Sequence, residues 1–188
     1  MAGADESGVV IEVPEAEALV ADWRQQHDPA AGSGVPAHIT ILYPFMPPSQ
    51  LTQESLDALQ VIAAGTAPFR FGLVAVDEFP GLLWLRPDPS SELLALMARV
   101  WAAYPRFPAY DGRYPEPSPH LTVAVVEPGE PQAVMRRELE SRIMGQLPVE
   151  CTASALTILG SDAQGRWTSR RRLELGGSTL LPIDCLFR

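Results

Sequence analysis

The chain has 188 residues, 46% hydrophobic and 20% charged, which allows a sizeable core, excludes global disorder and fits one domain of two similar lobes over 1–188. Its net charge is −9, so it does not gather long polyanions by itself, and any phosphate site has to be local. All 14 basic residues are Arg; Schiff-base chemistry and a P-loop lysine are excluded.

The start, MAGADESG, is acidic where a secretory signal is basic, and no apolar run approaches the roughly 20 residues that span a bilayer, so a soluble cytoplasmic protein is expected. Gly8 to Val13 reads as a strand, and Pro14 followed by EAEALVADWRQQ as a helix with proline in its first turn. A turn-rich loop over 27–36 leads to the strand AHITILYPF, closed by Pro44 and the Pro47-Pro48 pair. The spacing of Leu51, Leu56, Leu59 and Ile62 predicts a helix over 49–64, followed by a hairpin of FRFGLVAVDEF and LLWLRP.

A similar order then recurs. Residues 90–104 read as a helix, 105–119 as a loop rich in Pro and Tyr, HLTVAVV as a strand and 131–147 as a helix. VECTASALTILG reads as one strand, paired across SDAQG with GRWTSRRRLEL. His38 and His120 lie 82 residues apart, Pro68 and Pro148 80, Trp84 and Trp167 83. The sequence of helix, H-x-T strand, helix, strand, strand therefore occurs twice, and the repetition predicts two lobes with equivalent strands facing each other.

The strongest constellation is the pair HITI at 38–41 and HLTV at 120–123. Side chains at i and i+2 of a strand share a face, so each His shares one with its Thr, while Ile39, Ile41, Leu121 and Val123 point into the core. Each strand offers one acid/base group and one hydroxyl. Two imidazoles with an ordinary pKa near 6.5 supply one neutral base and one charged acid, and two hydroxyls can hold non-bridging oxygens between them. That combination suits in-line cleavage of a phosphodiester, with a strained 2′,3′-cyclic phosphate a favourable substrate. No cofactor is implied. Metal binding is poorly supported by the motifs, since HExxH, HxH and Cys clusters are all missing, although Asp111 or Glu116 could supply a third ligand.

These paired motifs, with SPHLTVAVV and the preceding loop YPRFPAYDGRYPEPS, make the chain resemble the 2H phosphoesterase superfamily, particularly bacterial 2′-5′ RNA ligase and cyclic phosphodiesterase-like proteins, over residues 8 to 175. The resemblance implies an α+β bilobal fold with a pseudo-twofold axis, each lobe a mostly antiparallel sheet packed by helices, with a cleft between the sheets. It also implies metal-independent chemistry at 2′ or 3′ ribose phosphates, with His38, Thr40, His120 and Thr122 as the catalytic quartet. RNA 2′-5′ ligation and a non-catalytic nucleotide- or RNA-end-binding module are the alternatives.

The acidic, lysine-free composition favours a small nucleotide or an RNA terminus carrying a phosphate as partner over extended RNA, with no membrane partner. Trp167 and Arg170, in the run Arg166 to Arg172, are candidate stacking and phosphate contacts, although a solvated edge strand would read the same way. Trp167 and Arg171 would share the face of Leu173 and Leu175 unless a bulge swaps them. Tyr43 is a further candidate, expected on the core side. Tyr110, Arg113 and Tyr114 are candidates for a rim or lid. His27 reads as a surface residue ending a helix, and Cys151 and Cys185 as small buried hydrophobes.

Overall fold

The structure is a computed structural model that describes residues 5–114, 116 and 118–177; Cys185 and the apolar tail from residue 178 lie outside the described residues. Among the described residues eight strands form two four-stranded antiparallel sheets. Strands β1 (Ser7–Glu12), β2 (His38–Leu42), β7 (Ala155–Ser161) and β8 (Trp167–Glu174) make sheet A in the order β2-β1-β7-β8. Strands β3 (Phe69–Phe79), β4 (Leu82–Asp88), β5 (Leu121–Val125) and β6 (Val149–Ala153) make sheet B in the order β5-β4-β3-β6. Each H-x-T strand is an edge strand.

The helices interlock the sheets. Helix α1 (Pro14–His27) starts at its proline, carries Glu15 and Glu17 against the helix dipole, and buries Ala16, Val20 and Trp23. It joins two strands of sheet A yet packs against β5 and β6 of sheet B. Helix α4 (Ser91–Ala103) joins two strands of sheet B and packs against β2 of sheet A. A one-turn helix, α2 (Pro29–Gly32), interrupts the 27–36 loop. Helix α3 (Gln53–Ala64) begins later than residue 49 because Thr52 forms a capping box with Ser55, leaving Pro48–Gln50 as a single 3-10 turn. Helix α5 (Gln132–Ile143) is shorter than its expected span, the chain continuing as a 3-10 turn over Met144–Gln146.

One expected strand is two. Residues 149–153 pair with β3, while 155–161 pair with β1 and β8, so the chain changes sheet at Ser154. Burial alternates through β6 and becomes continuous in β7, as befits a strand with neighbours on both edges and cover on both faces.

The pseudo-twofold relation is visible in the register. Phe71 opposes Cys151 where β3 meets β6, and these residues are 80 apart, like Pro68 and Pro148, so the axis passes through that pair. In sheet A, Ile11 opposes Ile39 and Val10 opposes Thr40; in sheet B, Leu85 opposes Leu121 and Trp84 opposes Thr122. The structural counterpart of Trp84 is therefore Val10, and the expected equivalence of Trp84 with Trp167 is corrected. The matching units are β1-α1-β2-α3-β3 and β4-α4-β5-α5 followed by β6 and β7, each ending in a strand at the seam or across it.

Candidate active site

Directly opposed residues of an antiparallel pair share a face. His38, Thr40 and Val10 therefore line one face of sheet A, and His120, Thr122 and Trp84 the corresponding face of sheet B. Behind them Ile39, Ile41, Leu121 and Val123 are at most 1% exposed, as the alternation requires. The edge strands β2 and β5 pack against each other, and the His38 imidazole lies within electrostatic range of His120.

Both histidines are oriented by the same device. His38 Nδ1 contacts the carbonyl oxygen of Pro36 at 2.8 Å, and His120 Nδ1 that of Ser118 at 2.6 Å. A carbonyl only accepts, so each Nδ1 carries the proton and each Nε2 is left with its lone pair. Burial lowers the pKa of His38 to about 4; the Pro36 carbonyl opposes this, and the Arg24 guanidinium adds to it. Burial also lowers the pKa of His120, against the Ser118 carbonyl.

What surrounds each ring differs. Behind His38 lies the ion pair of Arg24, 2% exposed, and Asp28, 5% exposed. Arg24 Nε and Nη2 donate to Asp28 Oδ2 at 3.0 and 2.9 Å, Nη2 also donates to the Val35 carbonyl, and Asp28 Oδ1 caps α2 by accepting from the Ala30 amide. The pair thereby braces the segment that ends in the Pro36 carbonyl. Around His120 the neighbours are aromatic: Phe79 meets the imidazole edge-on at 5.5 Å and Trp84 at 5.9 Å, and the two aromatics stack on each other at 4.9 Å. The motifs gave no sign of Arg24, Phe79 or Trp84, because each reaches its histidine across chain separations that a local pattern does not encode. Two buried polar atoms on these faces, Trp84 Nε1 and Thr157 Oγ1, have no hydrogen-bond partner among the described residues.

Tyr43 is not on the core side. Val10 opposes Thr40 and Val9 opposes Leu42, so Ile41 is the extra residue of a bulge, Ile41 and Leu42 both enter the core, and Tyr43 turns to the face of Thr40. A Cβ on Gly8 would meet its ring at 3.3 Å, so that position stays bare. The Tyr43 hydroxyl donates to Glu6 at 2.8 Å, and burial with this carboxylate pushes its pKa up to about 12. Strand β5 has the same bulge, with Val123 as the extra residue.

Trp167 reaches the same face as Tyr43, 6.2 Å from its ring, because a bulge at Arg170 separates it from the parity of Leu173 and Leu175. It packs on Val10, Val35 and Leu159, and its amide donates to the Ser33 carbonyl at 2.8 Å. That approach needs Gly34, whose φ is +93° and whose Cβ would lie 2.9 Å from the Trp167 carbonyl. Trp167 is thus part of a wall rather than a free platform. Arg170 is turned away, to the other face of β7, where it lies over Gly160 and donates to the Ser161 carbonyl at 3.1 Å. Arg166 pairs with Asp162 at 3.1 Å and Arg172 with Glu174 at 2.8 Å, both at the surface. His27, ending α1, packs on Trp23 at 4.4 Å. Cys151 is buried.

Of the loop residues, Arg113 and Tyr114 are exposed, whereas Tyr110 packs inward against the core with its phenol near the Thr40 hydroxyl. No three His, Cys, Asp or Glu side chains converge among the described residues, and neither Asp111 nor Glu116 joins such a group. A surface hollow of about 450 Å³ between Thr52 and Phe107 carries neither motif.

Two helix-packed antiparallel sheets, related by a pseudo-twofold axis and each presenting an H-x-T edge strand, define the 2H phosphoesterase class. The chain belongs to the 2′-5′ RNA ligase superfamily, whose family model matches residues 12–165. Its fold is similar to that of E. coli LigT crystallised with 3′-AMP, at a TM-score of 0.60 and 18% identity over 91% of this chain and 98% of that one. LigT crystallised with NADP+ aligns at a TM-score of 0.58 and 19% identity over 92% and 98%. The protein TT0787 of Thermus thermophilus aligns at 0.57 and 17% over the same shares. No curated protein sequence matches the chain. No helix among the described residues is long and apolar enough to cross a membrane.

Proposed function

We propose that the protein is a metal-independent phosphoesterase acting on 2′,3′-cyclic or 2′-5′ linked ribonucleotide phosphates, with His38 and His120 as general base and general acid. The observation that carries this is the repeated Nδ1-to-carbonyl contact, at Pro36 and Ser118, which leaves two equivalent Nε2 atoms for proton transfer on facing edge strands. The nucleotide complexes of LigT support a small nucleotide, or an RNA end bearing a phosphate, as the partner.

His38, whose pKa is lowered to about 4, is neutral at physiological pH and takes a proton from water at Nε2. The resulting hydroxide attacks phosphorus as the P–O bond to one ribose oxygen breaks, and His120 protonates that oxygen from its own Nε2. Thr40 and Thr122 donate to the non-bridging oxygens, where charge builds up in the transition state. A bound phosphate anion favours the imidazolium form, and His120, which has no guanidinium among the described residues acting against it as Arg24 acts on His38, is the ring that takes this proton. Tyr43 and Trp167 form the wall on the Thr40 side, within reach of a base or ribose.

The reading is tested by product analysis on 2′,3′-cyclic mononucleotides and 2′-5′ linked dinucleotides in EDTA. Formation of a 2′- or 3′-phosphomonoester supports it. Joining of cleaved RNA halves without hydrolysis would identify a ligase instead, and binding without product a recognition module.

A further inference from the structure

The connection between α4 and β5 contains a backbone feature that its role as a linker does not explain. Tyr110 has φ 51° and ψ 37°, Asp111 has φ 55° and ψ 29°, and Gly112 has φ 74°. Two successive non-glycine residues in the left-handed region are rare, because Cβ crowds the following carbonyl, and such strain persists where the surroundings over-determine it and concentrates at functional sites. Here the surroundings are the other lobe. The Tyr110 amide donates to the Tyr43 carbonyl just past β2, and its phenol lies near the Thr40 hydroxyl. The Arg113 amide donates back to the Tyr110 carbonyl and closes the turn. A residue of the segment leading to His120 is thereby held against the first motif.

Tyr43 and Tyr110 contrast in availability. The Tyr43 hydroxyl is committed to a carboxylate, Glu6, whereas the Tyr110 phenol neighbours Thr40, a neutral hydroxyl of the candidate anion site. Burial raises the pKa of Tyr110, so it stays protonated, and a donor, across the working range. Two neighbouring hydroxyls of this kind can direct both O–H groups at one phosphoryl oxygen.

We propose that Tyr110 is a further phosphate-contacting residue, a third hydroxyl that joins Thr40 on the same non-bridging oxygen and is delivered there by the left-handed turn at 110–112. This rests on the phosphoester reading of the site, but its test does not depend on turnover.

The test is calorimetric binding of inorganic phosphate to the wild-type chain, Tyr110→Phe, Thr40→Ala, the double variant and Ser141→Ala, alongside hydrolysis of a 2′,3′-cyclic mononucleotide. Tyr110→Phe should weaken phosphate binding roughly tenfold, the size expected for one hydrogen bond to a charged group. The double variant should lose less than the product of the single losses, because the two hydroxyls share one acceptor. Ser141→Ala, altered at an exposed hydroxyl of α5 that donates to the Glu138 carbonyl, should match wild type. Tyr110→Phe with phosphate affinity within about twofold of wild type, multiplicative losses in the double variant, or a wild-type chain that binds no phosphate would each overturn the proposal. Tyr110-dependent phosphate binding without hydrolysis would support it while defeating the phosphoesterase reading.

Discussion

The two halves of the cleft share a skeleton and differ in their lining. Val10 opposes Thr40 as Trp84 opposes Thr122, a bulge follows each threonine, and each imidazole leans on the carbonyl two residues before it. Yet His38 has a buried ion pair behind it, while His120 has Phe79 and Trp84 against its ring. The repeated backbone places two identical groups, and the unrepeated side chains make them chemically unequal. An acid/base pair needs that inequality, since one ring has to give the proton while the other accepts it.

The largest effect expected from breaking one half alone is at Arg24. Arg24→Met leaves Asp28 buried without its cation and should cost about 3–5 kcal/mol of unfolding free energy in a denaturant titration. Replacing an exposed pair such as Arg142 and Glu138 should cost under about 1 kcal/mol by the same measurement.

On the proposed mechanism Thr40→Ala and Thr122→Ala each remove one hydroxyl from a developing charge, worth about 1.5–3 kcal/mol, so kcat/KM should fall roughly ten- to a hundredfold with stability little changed. Loss at only one of the two would show that the phosphate is held by a single lobe.

The pH dependence of kcat/KM sharpens the contrast further. The general base has to be unprotonated, so the acid limb should fall near pH 4, through His38. The general acid has to be protonated, so the alkaline limb should lie below 6.5, through His120, giving an optimum on the acid side of neutrality. Trp84→Phe should loosen the aromatic enclosure, move the alkaline limb upward and leave the acid limb in place. A shift of both limbs together would contradict the separate control of the two rings.

A separate effect concerns stability. Between pH 6.5 and about 4 the unfolded chain protonates His38 and the native state does not, so stability should decline on acidification through that window. His38→Ala should flatten that part of the thermal-melting profile, and His120→Ala should flatten it less.

How much of this was legible follows from what sequence periodicity encodes. The two H-x-T strands announced themselves because period-2 alternation fixes which side chains share a face. Tyr43 was misplaced because one extra residue, Ile41, reverses the parity, and nothing local marks a bulge formed by a partner strand. Trp167 owes its face to the bulge at Arg170, which also turned Arg170 away from the cleft. The crossing at Ser154 escaped notice because 149–160 is apolar enough to read as one strand, and which sheet a residue joins is decided by long-range pairing. The matched bulges and the seam at Phe71 and Cys151 are tertiary symmetry, seen only once the registers are compared.

The central claim is that two imidazoles from facing edge strands share one proton-transfer reaction. The most direct measurement is single-turnover hydrolysis of a 2′,3′-cyclic mononucleotide in EDTA by wild type, His38→Ala and His120→Ala, with folding of each variant checked by circular dichroism. The account predicts that each variant keeps its fold and loses about 10²- to 10⁴-fold in rate. A folded variant of either histidine that retains the wild-type rate would contradict it.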